Sequence, residues 1–200
     1  MVFRSSEIRW FSDDAERLRE IYKQLPETGT GRQEGNRTDF YLRSNLTDTG
    51  IKVREGNHEL KLKSAPDESL AFGVVQHWIK WSHCAEDSIL DTIDQKFLQE
   101  WIAVGKTRFK KSYEINNHNR LIPVGEELVQ EGCGVEFTEV SIPSLPKVQY
   151  TLGLEAFSAT QNARSNLFAA LDYLDINFSQ LKTLDSFSYP EWIAQVLSVG

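Results

Sequence analysis

The strongest constraint on this chain is an alternation of apolar and long charged side chains that recurs in several separate segments. In residues 51–55, Ile51 and Val53 alternate with Lys52 and Arg54. In residues 58–63, Leu60 and Leu62 alternate with Glu59, Lys61 and Lys63. Beyond Gly105, Lys106, Arg108, Lys110, Ser112 and Glu114 fall at one parity; Phe109, Tyr113 and Ile115 fall at the other, with Thr107 and Lys111 among them. A β-strand sends successive side chains to opposite faces, so each segment reads as a strand with one apolar and one charged face. A half-exposed sheet is the ordinary source of such a pattern. Here the polar faces are long charged chains with few Ser, Thr, Asn or Gln, and like charges on neighbouring strands repel. A closed antiparallel barrel with an anion among the inward cations removes that repulsion, because phosphate oxygens satisfy Lys and Arg donors. The expectation is an α+β chain built on such a barrel, with flanking helices, as one domain over residues 1–200.

Helical periodicity supplies the flanks. Ala15, Leu18, Ile21, Tyr22 and Leu25 recur at helical spacing after Ser12, read as the N-cap, and Pro26 ends the run. A helix is expected over residues 88–101, another over 162–174 and a third over 189–199, with Pro190 near its start. Residues 27–36 read as a loop. Strands are expected at 7–11, 38–43, 72–82, 103–115, 134–142 and 148–157, besides the two short ones above. On the acidic strands Glu136 and Thr138 share a face, as do Thr151, Gly153 and Glu155. Arg43 shares a face with Asp39 and Tyr41 and is expected at the lumen mouth, whereas Arg37 is expected outside.

Composition narrows the function classes. The 200 residues carry a net charge of −7, which disfavours a general nucleic-acid binder but leaves room for a local basic cavity. Cys84 and Cys133 stand far apart with no metal-ligand spacing, and His83 and Cys84 would point to opposite strand faces. Residues 1–12 lack the apolar run of a signal peptide, and no stretch reaches membrane-span length. A cytoplasmic protein with no nucleic-acid, membrane or protein partner is expected. The tryptophans read as core or rim packing, with Trp78 and Trp10 a candidate wall for a ligand's organic part.

The order of these segments resembles the CYTH superfamily, the triphosphate tunnel metalloenzymes, whose members include thiamine triphosphatases, inorganic triphosphatases, class IV adenylate cyclases and RNA triphosphatases. The family's opening ExExK strand corresponds to Glu7-Ile8-Arg9-Trp10-Phe11; its paired cations to Lys52 and Arg54; its Lys-terminated strand to Glu59 through Lys63; its K-x-R to Lys106 and Arg108. The late acidic strand ends at Glu155, and Ser188-Tyr189 falls where the family has an SY segment. The resemblance implies a cationic tunnel that binds a triphosphate or another phosphorylated polyanion. Its lining would be Arg9, Arg43, Lys52, Arg54, Lys61, Lys63, Lys80, Lys106, Arg108 and Lys110. It also implies Mg²⁺ or Mn²⁺ held by Glu7, Glu136 and Glu155 for hydrolysis by attacking water. Two departures bear on that chemistry. Arg9 and Phe11 stand where the motif has its second Glu and its Lys, and Gly153 stands where a second late acid belongs. Two readings stay open: a metal-dependent phosphohydrolase, and a protein that binds or senses the phosphorylated ligand without turning it over. The departures also give Arg9 a role as counter-ion to Glu155 or Glu136.

Overall fold

The computed structural model describes residues 2–27, 32–84, 99–116, 118, 120–125, 129–143 and 145–199, with the side chains of 32–35 and 199 left aside. The expected helix over 88–101 falls mainly in 85–98, outside the described residues; Trp101 opens a strand instead.

The strands are β1 (Val2–Ser12), β2 (Arg32–Leu42), β3 (Thr49–Arg54), β4 (Asn57–Lys63), β5 (Glu68–Leu70), β6 (Gly73–Cys84), β7 (Trp101–Ile115), β8 (Leu121–Val124), β9 (Glu131–Ser141), β10 (Gln149–Ser158) and β11 (Asp185–Ser186). The helices among the described residues are α1 (Ala15–Gln24), α2 (Ala163–Tyr173) and α3 (Tyr189–Val199), with a 3₁₀ turn at Phe178–Gln180. The chain is therefore α+β and mostly antiparallel sheet. From β1 the pairings run through β10, β9, β7, β2, β3, β4 and β6, and β6 pairs back with β1. The strands are thus linked in a ring. β5 adds to β6, β8 to β7 and β11 to β1.

Several boundaries differ from expectation for local reasons. The cap of α1 is Asp14, whose carboxylate accepts from the Glu16 and Arg17 amides; the Ser12 hydroxyl accepts from the Asp14 amide one turn earlier. β2 begins at Arg32, inside the segment read as a loop, and carries a register shift between Glu34 and Arg37. Such a bulge breaks the period-two pattern and hides the strand. β5, β8 and β11 are too short to show periodicity.

The apolar face of the ring lies under the helices. Leu18 and Ile21 of α1 and Leu167 and Leu171 of α2 are buried with Ile8, Trp10, Val135, Leu152 and Leu154. Trp10 belongs to this outer core: it packs against Phe72 and Phe178 and donates its indole N–H to the Phe72 carbonyl at 2.6 Å. It forms no wall of the charged face. The same outer side holds a polar chain. Ser6 Oγ lies 2.9 Å from His77 Nδ1, His77 Nε2 lies 2.8 Å from Glu68, and Arg164 of α2 grips Glu68 at 2.5 and 2.7 Å. It ties β1, β6, β5 and α2 together.

Helix α3 packs at one end of the ring. Phe11, Tyr41, Ile102, Val104, Val140 and Trp192 form a second apolar cluster there, with Phe187 and Tyr189 against it. Gly50 is required at this end, because a Cβ would come within 2.9 Å of the Pro190 ring.

Candidate functional site

The parity rule puts Glu7 and Arg9 on the face of β1 opposite Ile8 and Trp10, away from α1 and α2. The register then sets their neighbours. Arg9 lies opposite Gly153, which lies opposite Glu136, which lies opposite Lys110. Glu7 lies opposite Glu155 on one side and Gln76 on the other. Like charges directly opposed, as Glu7 and Glu155 are, require cations nearby. They come from strands that are not the acids' sheet neighbours: Lys61 of β4 lies 2.7 Å from Glu7 of β1, and Lys80 of β6 lies 3.6 Å from Glu155 of β10. Each pair thus spans one intervening strand along the charged face, β6 in the first and β1 in the second.

Nine of the ten cations expected at a site share this face: Arg9, Lys52, Arg54, Lys61, Lys63, Lys80, Lys106, Arg108 and Lys110. Arg43 lies apart. It sits one residue past the end of β2, exposed, with its Nε donating to the Gln99 carbonyl at 3.2 Å. Arg37, expected outside, is on the face, with its Nε 3.1 Å from Asp39.

The acids are more numerous than expected. Asp39, fully buried, accepts from Lys106 at 2.9 Å and lies 3.6 Å from Lys52. Glu59 lies 3.0 Å from Lys52 and 2.6 Å from Arg54. Glu191, from α3, lies 3.6 Å from Lys63 and accepts from Gln76 at 2.8 Å. Asp39 and Glu59 were visible as strand residues of the right parity. Glu191 had no such signal, because a helix brings it to the ring.

Much of the charge is thus internally paired, yet more cations than carboxylates stand on this face among the described residues. Lys110 makes no ion pair with a described residue. Buried polar atoms remain without a hydrogen-bond partner there: Ser5 Oγ, Arg9 Nε, Trp78 Nε1, Thr138 Oγ1 and Glu155 Oε1. Each such atom is costly unless something polar meets it. Both donors and acceptors are among them, so the face suits a polar, hydrogen-bonding occupant.

The electrostatics follow the geometry. Burial raises the Glu136 carboxyl, but Arg108, Arg9 and Lys110 outweigh it and hold the group at about 2. Lys80, with Lys61 and Arg9, keeps Glu155 well below the usual carboxylate range against burial. Burial favours protonation of Asp39, and Lys106, Lys52 and Arg37 reverse this to hold it far down. Burial also lowers Lys52 and Lys106, each to about 8, against the pull of Asp39.

Arg9 decides what the three expected metal ligands can do. Its guanidinium lies flat on Gly153: a Cβ there would sit 2.6 Å from Arg9 Cζ. Nη1 donates to Thr151 at 3.1 Å, Nη2 lies 3.8 Å from Glu136, and the Tyr189 ring stacks 4.7 Å away. Glu7, Glu136 and Glu155 are each engaged by a cation, and Arg9 stands among them. No group of three His, Cys, Asp or Glu side chains is gathered for a metal among the described residues. Each of the three carboxylates has a lysine or arginine as its closest charged neighbour among the described residues.

Elsewhere, an open cleft of about 470 Å³ lies between the β5–β6 turn and β11, lined in part by Phe72, Lys182, Asp185 and Phe187. It gathers no converging cations. Among the described residues, no helix is long and apolar enough to cross a membrane. No protein-family model matches the chain, and no curated protein matches it.

Proposed function

We propose that the ring is a closed barrel and that its interior binds a small phosphorylated polyanion, such as a triphosphate, without hydrolysing it. The carrying observation is the convergence of cations from separate strands on one buried face, where they exceed the acids. Phosphate oxygens accept several charge-assisted hydrogen bonds at once, which suits Lys and Arg converging from several directions. The orphaned donors Arg9 Nε and Trp78 Nε1 add to that capacity. Trp78 lies on the charged face with Lys61 4.8 Å from its ring, so it offers a ligand an aromatic wall, as Trp10 does not.

Turnover is the weaker reading, because hydrolysis by metal-activated water needs carboxylates free to hold the ion. Here Lys61, Lys80 and Arg108 supply their close counter-charge, with Arg9 beside Glu136. A binding protein accounts for these features.

The test is titration calorimetry with tripolyphosphate, beside a phosphate-release assay. Micromolar binding with no release is expected. Lys110→Ala should weaken binding at least fivefold while the variant keeps the wild-type circular dichroism spectrum. Undetectable binding at millimolar ligand, or unchanged affinity in that variant, defeats the proposal.

A further inference from the structure

A site for a phosphorylated anion meets its ligand either free or chelated to a divalent ion. Di- and triphosphates hold Mg²⁺ firmly, whereas phosphate monoesters and sulfate hold it weakly. The difference matters because Mg²⁺ demands an octahedron of oxygens and brings its waters with it. A pocket that holds the metal of the chelate on its own ligands must offer carboxylate oxygens that no cation already occupies.

The structure assigns this interior to the free anion, and Arg9 to the role of selecting it. The inference rests on the anion-binding reading above. Arg9, Gly153 and Glu136 form one row across three strands, and Glu7 and Glu155 face each other in the next. The first row has room for a guanidinium only because position 153 has no side chain: any Cβ would come within 2.7 Å of Arg9 Cζ and both terminal nitrogens. The arginine is also fixed from its other sides, by Thr151 and by the Tyr189 ring. Its charge is permanent at any workable pH. A divalent ion entering beside Glu7, Glu136 or Glu155 meets that charge at close range, with Lys61, Lys80 and Arg108 already on the three carboxylates. A metal-free phosphoryl group finds there the unpartnered donors Arg9 Nε and Trp78 Nε1 and the ammonium of Lys110. The ligand class is therefore a phosphate monoester or another phosphorylated anion that chelates magnesium weakly, in preference to a magnesium-bound di- or triphosphate.

The experiment is calorimetric titration of the full chain with two probes, sodium tripolyphosphate and sodium sulfate. Each is run in EDTA and in excess Mg²⁺ at matched ionic strength. The expected result is tripolyphosphate binding at least tenfold weaker in Mg²⁺, with sulfate affinity changed less than twofold. Tripolyphosphate affinity that is unchanged or raised by Mg²⁺ overturns this inference while leaving anion binding standing. Failure of both probes to bind in either buffer overturns the anion reading and this inference with it. In Arg9→Gln, where the fixed charge is gone, the magnesium penalty should shrink at least threefold; an undiminished penalty takes the selecting role away from Arg9. The wild-type comparison stands whether or not that variant folds.

Discussion

Substituting Gly153 by Ala tests how tightly Arg9 is built into the sheet. The new Cβ would lie 2.6 Å from Arg9 Cζ and Nη1, where ordinary contact begins at 3.4 Å, so the guanidinium must retreat by about 0.8 Å. Nothing lets it retreat without loss. It would leave the 3.1 Å bond to Thr151, a charge-assisted bond of about 1.5–3 kcal/mol. It would also disturb the cation–π contact with Tyr189, about 1 kcal/mol or more in a desolvated setting. Its 3.8 Å contact with Glu136 adds little, since Arg108 holds that carboxylate at 2.6 Å. The expected loss is about 3 kcal/mol, or roughly 6–12 °C in Tm for a chain of this size. Urea denaturation of wild type, Gly153→Ala, Arg9→Ala and the double variant gives the coupling energy. In the Arg9→Ala background the alanine at 153 should cost under about 0.5 kcal/mol, for a coupling of about 2–3 kcal/mol. Equal costs in both backgrounds would refute the claim that Gly153 exists to seat Arg9.

Acid should unfold the protein through its paired carboxylates. Glu136 is lowered from 4.5 to about 2, so its contribution is complete above pH 4.5 and is lost as pH falls towards 2. That contribution is about 3 kcal/mol; Glu136→Gln should flatten the acid limb of a stability–pH curve, and an unaltered limb would count against the pairing. Anion affinity should fall between pH 7 and 9 as Lys52 and Lys106, both near 8, lose their protons; calorimetry at the two pH values showing equal affinity would remove them from the site. His77→Ala strands the buried Ser6 hydroxyl on the outer face and should cost about 2 kcal/mol in chemical denaturation with anion affinity intact. A changed affinity there would contradict the separation of the two faces.

The charged face was legible because period two survives wherever a strand is regular. Lys52, Arg54, Lys61, Lys63, Lys106 and Arg108 needed only their parity to be placed together. Arg43 misled because its parity holds on paper, whereas β2 ends at Leu42 and the Arg43 side chain is exposed and donates to the Gln99 carbonyl. Arg37 was misjudged for the converse reason, a strand start concealed by a bulge. The extent of internal pairing could not be read from one strand at a time. Lys61 with Glu7 and Lys80 with Glu155 are contacts between strands that are not adjacent in the sheet, and Glu191 arrives on a helix. The Arg9–Gly153 exchange was visible as two departures from a pattern. Their complementarity required the register, which alone sets the one residue against the other.

The closing pair of the ring bears on how the chain must acquire its shape. The partners of β1 lie far downstream of it: Arg4 matches Ile79 on one flank and Ser158 on the other. Contacts of such long sequence separation are slow to form, because the intervening loop entropy is lost before they repay it. On a ribosome β1 can meet β6 early, but its other flank stays open until β10 has emerged. Only then can the circuit seal, so a nascent chain halted before residue 158 keeps an unpaired strand edge for other chains to find.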